Sequence, residues 1–269
     1  MARKDKSRDS KKVKNRPLAF KEFTVNVWIT DFNSFEFGFY KKSRNRAKSR
    51  QFTKDMDLVA EVSENGETTG MLGYRKDLWT QKEGMDKRLV MKLFTGSLNW
   101  KASLDLVLAK SLQLTIGARG LPVTVYAINT GNNNHIIYLE RSANKWPFLP
   151  ENFSFFVLDD DNHPHFYRLR RDMIAIGTDY TLYDEHDVPV GELDGKVLTL
   201  GGKWYGRLRE DHADQRVMSA MKLIAGMLIF NASCTKHVKW LAKDIKYGAI
   251  DPRIEAQEAD LYMNPRRIR

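Results

Sequence analysis

Between Val217 and Phe230 the chain reads VMSAMKLIAGMLIF, with Lys222 its one charge and Ser219 its one other polar side chain. Wound as an α-helix, this stretch puts Met218, Met221, Ala225 and Leu228 on one face and Ala220, Leu223, Ile224 and Met227 on another. A helix that is apolar all round has to be surrounded, by lipid or by protein. The segment spans about 21 Å at ~1.5 Å per residue, whereas a bilayer core asks for about 20 apolar residues. Lys222 lies near its middle, and extension toward Cys234 brings in Asn231 and Ser233. The reading is a core helix, introduced by Asp211 and Asp214, whose charges favour a helix N-terminus.

What precedes this helix is a series of strands. Phe23, Val25, Val27 and Ile29 alternate with Thr24, Asn26 and Thr30, the period of a half-buried strand. A turn at Asp31 to Ser34 leads to a second alternating run, Phe35, Phe37 and Phe39. Leu58, Ala60 and Val62 alternate before Asn65-Gly66, a pair suited to the positive φ of a hairpin turn, and Met71 to Tyr74 makes the return. Residues 82–111 fit helix or strand equally and stay open. From Leu112 the runs LQLTI, PVTVYAI, HIIYLER, FSFFVLD, HFYRLR, DMIAIG, YTLYD, VPVGELDG, KVLTLGG and KWYGRLR recur at short spacing with turn residues between them. That rhythm fits an antiparallel sandwich or barrel and not β-α units. An internal repeat, FVLDDDNHP ending at Pro164 and TLYDEHDVP ending at Pro189, aligns Asp159 with Asp184. Each copy reads as a strand, an Asp-closed turn, and a proline opening the next strand.

A closed sheet too wide for its own side chains needs something else inside, and an all-apolar helix needs a wrapper. The expected fold is therefore mainly β (α+β), an antiparallel β-barrel enclosing a hydrophobic C-terminal helix. The expected organisation is a disordered basic arm over 1–18, a barrel over 19–235 with central helix 217–230, and an amphipathic helical extension with a polar tail over 236–269. Val238, Leu241 and Ile245 of that extension fall at helical spacing.

Charge is unevenly distributed. Lys and Arg number 44 against 34 Asp and Glu, a net +10. Residues 1–17 carry eight basic and two acidic residues, and KKSRNRAKSR at 41–50 carries six basic residues and no acid. These two runs hold +6 each, so the remainder sums to −2. Such runs suit a polyanionic partner, either an anionic membrane lipid surface or nucleic acid. The candidate lipid- or polyanion-binding residues are Lys41, Lys42, Arg44, Arg46, Lys48 and Arg50, flanked by Phe39, Tyr40 and Phe52. To these are added Arg168 and Arg170, which alternation places on the outer face if Tyr167 and Leu169 point inward, and Lys196, Lys203 and Arg207 near hairpin ends.

Motifs for chemistry fail on inspection. One cysteine, Cys234, excludes an internal disulfide and a cysteine metal cluster, and suits a reducing compartment. Counting from Asp159, an EF-hand would need an oxygen ligand where His163 stands and glycine where Pro164 stands. His163 and His165 have no evident third zinc ligand. Gly195-Lys196 and Gly201-Gly202-Lys203 lack the rest of a phosphate loop, and there is no G-x-S-x-G elbow. No catalytic residue, metal or small-molecule cofactor is expected. Residues 1–17 have no apolar stretch and include Asp5 and Asp9, unlike a secretory or mitochondrial leader, and no lipidation motif is evident. The expectation is a cytoplasmic protein, peripheral at a membrane if its polyanion is lipid.

The order of strands, acidic turns and buried helix resembles the Tubby C-terminal-like superfamily, with its LURP-one-related and phospholipid scramblase branches. The resemblance rests on YTLYDEHDVPVGELDG at 180–195, FSFFVLDDDNHPHFYRLRR at 153–171, KWYGRL at 203–208 and the helix at 217–230. It covers roughly residues 112–235. The chain departs from the scramblases in having only Pro17 in its first eighteen residues and no evident calcium segment. The resemblance implies a non-enzymatic barrel that binds phosphoinositide-like anionic lipid or moves phospholipid. A ribonucleoprotein-associated barrel and a ligand-free scaffold are the alternatives.

Overall fold

The computed structural model describes residues 19–27, 51–131, 135–144, 149–173, 179–196, 202–253 and 258. Twelve strands among these residues form one closed antiparallel barrel. They are β1 (Phe20–Val27), β2 (Met56–Glu64), β3 (Glu67–Arg75), β4 (Val90–Thr95), β5 (Trp100–Leu106), β6 (Val125–Thr130), β7 (Ile137–Arg141), β8 (Asn152–Leu158), β9 (Pro164–Arg171), β10 (Tyr180–Tyr183), β11 (Pro189–Lys196) and β12 (Lys203–Arg209). Each pairs with its neighbours in sequence, and β1 closes the barrel against β12, Phe23 opposite Gly206. Closure leaves no free sheet edge for aggregation.

Through the barrel runs α3 (Gln215–Lys246), with α1 (Lys76–Thr80) and α2 (Leu108–Gly117) on its flanks. Every residue from Arg216 to Met227 is buried. Gly226 lets the helix approach the wall: a Cβ there would stand 2.6 Å from Leu72 Cδ1 and 3.0 Å from Met91 Cε. By length and composition α3 could cross a membrane, but 72% of its most apolar 18-residue stretch is buried inside the protein. The barrel supplies the surroundings that an all-apolar helix requires.

The Asp turns are one module built twice. Asp159 accepts from the backbone N–H groups of Asp161 and His163 at 2.9 and 2.8 Å, and Asp184 from those of His186 and Val188 at 3.0 and 2.9 Å. Asn162 and Asp187 both take φ 62. Asx-closed turns of this kind use residues that tolerate the left-handed region. The Asn65-Gly66 turn has φ 52 and 82, as its residues require.

Three expectations change. LQLTI is not a strand but the second half of α2, where Leu108, Ser111, Leu112 and Thr115 are buried at helical spacing. Its polar pair is consumed locally. The Ser111 hydroxyl donates to Val107 O and accepts from Val125 N–H, and Thr115 Oγ1 accepts from Val123 N–H at 3.0 Å. The open stretch 82–111 resolves into a short 3₁₀ turn at Gly84–Asp86, β4, β5 and the start of α2. Helix 217–230 does not stop before a separate extension; one helix continues to Lys246. Asn231 and Ser233 fail to break it because Asn231 is anchored, its Nδ2 donating to Glu151 Oε1 at 2.8 Å. Of DMIAIG, the described residues Asp172 and Met173 follow β9 without forming a strand. Residues 35–39, and KVLTLGG between Lys196 and Gly202, lie outside the described residues.

Two polar anchors set the helix along the barrel axis. Lys222 donates to Glu64 Oε1 at 2.6 Å. Burial lowers the Lys222 ammonium against the pull of Glu64. Burial would raise Glu64, but the bonds from Lys222 and Thr69 bring its carboxyl below the usual range. The penalty falls on the lysine because it is the deeper partner, 7% exposed against 34%. Farther along, Glu151 accepts from Arg141, from the Tyr180 hydroxyl at 2.7 Å and from Asn231. Burial would raise its carboxyl too, but these donors hold it below the usual range.

Candidate functional site

In an antiparallel barrel, alternate turns share an end. One end carries Glu64 and Glu67, then Asp159, Asp160 and Asp161, then Asp184, Glu185 and Asp187, and finally Glu210, Asp211 and Asp214 where the chain enters α3. At the other end Arg75 and Lys76 follow β3, paired with Asp77 and Asp57, Lys87 and Arg88 precede β4, and Arg170 and Arg171 close β9. Lys196 and Lys203 stand opposite each other there, as Cα partners at the end of β11 and start of β12. Val27, whose N–H donates to Gly202 O, and Gln51, the described residues on either side of the 41–50 run, also lie at this end. Ala19 accepts from Glu210 N–H at the acidic end. The described residues nearest the two basic runs, Ala19 and Gln51, thus lie at opposite ends of the barrel.

Where α3 leaves the basic end, its two faces diverge. Val238, Leu241 and Ala242 are buried in the same cluster as Leu108, Leu112 and Met85. His237 Nε2 lies 3.0 Å from Lys87 O. The opposite face is a stripe of Lys236, Lys239, Trp240, Lys243 and Lys246, all exposed, running into Tyr247. Trp240 is 59% exposed and Tyr247 73%. Lys236 Nζ lies 4.7 Å from the Trp240 ring centre, a cation–π contact. Lys243 and Lys246 also complement the negative end of the helix dipole. The tail returns to this end: Glu258 accepts from Ala109 and Lys110 N–H groups, capping an α2 that has no side-chain cap of its own.

The structure gathers only some of the sequence candidates. Alternation on β9 holds, with Tyr167 and Leu169 buried and Arg170 exposed. Arg168, however, pairs with Asp187 and lies over the Tyr183 ring. Arg207 is held by Glu192 at 2.6 Å and lies over Phe20. These two are neutralised on the outer wall and do not join a basic patch. Arg170, Lys196 and Lys203 lie at or near the basic end, Lys203 Nζ sitting 4.7 Å from the Tyr205 ring centre. Lys41, Lys42, Arg44, Arg46, Lys48 and Arg50 lie outside the described residues. Asp159, Asp161 and His163 bring ligand atoms within 4.8 Å of one another, but Asp159 Oδ1 is occupied closing its turn.

Sequence reasoning missed the α3 stripe as a site. Its signal was the set of lysines lying between Val238, Leu241 and Ile245, the pattern of a basic amphipathic helix. Compared with protein-family models, curated proteins and solved structures, the chain matches none.

Proposed function

We propose that this protein is a non-enzymatic barrel that seats its basic end on an anionic lipid surface. The observation that carries this reading is the exposed stripe of α3, in which lysines flank Trp240 and lead to Tyr247. Trp and Tyr rings favour the headgroup level of a bilayer, and lysine stems reach along apolar surface while their charges stay in water. Each lysine near an anionic surface contributes on the order of 1 kcal/mol. The four of the stripe then give roughly 4 kcal/mol, the affinity of a ~1 mM complex. The 41–50 run, tethered at the same end, adds six further basic residues. Repulsion of the acidic end from an anionic bilayer sets the orientation. The interior is filled by α3, so lipid is held at the surface. The resemblance to the Tubby-like barrels supports the same ligand class.

The test uses vesicles of phosphatidylcholine with and without phosphatidylserine, beside single-stranded RNA. Binding to the anionic vesicles should fall steeply with salt, and Trp240 emission should shift to the blue. Reversing Lys236, Lys239, Lys243 and Lys246 to Glu should abolish it, and reversing the basic residues of 41–50 should weaken it. RNA binding without vesicle binding would transfer the basic end to nucleic acid. Binding of neither at low salt would overturn both readings.

A further inference from the structure

The outer wall of β8 and β9 exposes an aromatic pair. Phe156 and Phe166 are opposed in register, their ring centres 5.5 Å apart, and are 40% and 53% exposed. Unlike the wall beside them, where α2 covers Val125 and Ala127, they have no covering element among the described residues. They lie in a groove of about 710 Å³. Its rim is acidic: Glu140 on one side, and Asp184, Glu185 and Asp187 of the β10–β11 turn on the other. Two cations share the groove, Lys110 beside Glu140 at 3.3 Å and Arg168 beside Asp187. The carboxylates outnumber them.

We propose that this groove is a docking site for a segment of another protein in which Lys or Arg flank one or two apolar side chains. The apolar side chains pack on Phe156 and Phe166, and the basic ones face the carboxylate rim. Charge complementarity selects this occupant: the excess of carboxylates repels phosphate and attracts cations, while the exposed rings supply the desolvated centre that binding energy requires. The groove shares no residue with the α3 stripe, so the site stands apart from the membrane reading. A barrel with both sites would hold a basic partner on its wall while its basic end rests on a bilayer.

The experiment is an array of random peptides of about seven residues, the extended length that spans the ~23 Å of a seven-residue strand. It is probed with the full chain and with the Phe156→Ser/Phe166→Ser double variant. Because both rings are exposed, the variant should keep the parent melting temperature, which is checked first. Bound peptides should be enriched in Lys and Arg paired with aromatic or aliphatic residues. The best of them should bind the double variant about tenfold more weakly, and Glu185→Lys should weaken them by a similar factor. Peptides with Glu in place of Lys and Arg should not bind. Absence of enrichment, or equal binding by the double variant, would overturn the proposal. So would single-stranded RNA whose binding is lost with Phe156 and Phe166, since the rings would then be a base-stacking platform.

Discussion

The two halves of α3 are one helix in two different solvents. From Arg216 to Met227 every side chain is buried, and even a lysine is drawn in and paired. From Ala232 to Lys246 burial is confined to one face, and the other holds lysines and an open tryptophan. The contrast separates two physical roles. The first has exchanged water for the barrel wall on all sides, so its residues set stability. The second is half wetted, so its exposed residues are free to serve binding.

The largest effect should fall inside the barrel. Leu223→Ala is expected to lower unfolding free energy by about 2–5 kcal/mol in urea titration, because Leu223 is fully buried and the wall cannot collapse onto the cavity. Next comes the inner charge. Glu64→Ala leaves Lys222 unpaired and should cost about 1–3 kcal/mol, less than the ~3–5 of a fully buried pair because Glu64 is one-third exposed. Lys222→Met should fall within about 1 kcal/mol of the parent, since an apolar side chain needs no partner there.

A third test contrasts that paired charge with an unpaired one in the wall. Asp105 is buried on β5, and its Oδ1 has no partner among the described residues. Burial pushes its carboxyl from 3.8 up to about 6, against the opposing pull of Arg88, Lys92 and Arg75. A carboxyl raised by folding disfavours the charged form, so it costs stability increasingly as pH rises from about 4 to about 6. Asp105→Asn should therefore stabilise by about 1–3 kcal/mol above pH 6, with the gain shrinking toward pH 4. A gain that persists at pH 4 would mean that charge is not its cause.

The smallest effects should lie at the wetted half. Glu258→Ala removes the cap of α2 and should cost about 1 kcal/mol. Trp240→Ala should change stability by less than about 0.5 kcal/mol, as expected for an exposed position, while abolishing the vesicle-induced blue shift.

Much of this was legible from side-chain period alone. The alternating runs around Phe23, Leu58, Phe153 and Tyr180, the Asp-turn repeat and the apolar helix each reflect a local rule; the strands alone fit a sandwich or a barrel, and the helix that needs enclosing points to the barrel. α2 was obscured because LQLTI is as apolar as a strand; only the hydrogen bonds of Ser111 and Thr115 to the flanking chain reveal why it winds. The site was less legible, because charge in a sequence has no position. Arg168 and Arg207 look like free cations until Asp187 and Glu192 are seen beside them. The opposition of acidic and basic ends arises from which turns alternate strands bring together, which no single segment encodes.

Hydrogen exchange along α3, with and without phosphatidylserine vesicles, tests the division of the helix most directly. With the buried half as barrel core, amides of 217–231 should exchange only through global unfolding in the absence of lipid, and vesicles should leave them unchanged. Amides of 236–246 should exchange faster in solution and slow when vesicles are added. Rapid exchange over 217–231 that is protected only by lipid would mean that this segment inserts into the bilayer and that the barrel is not its solvent.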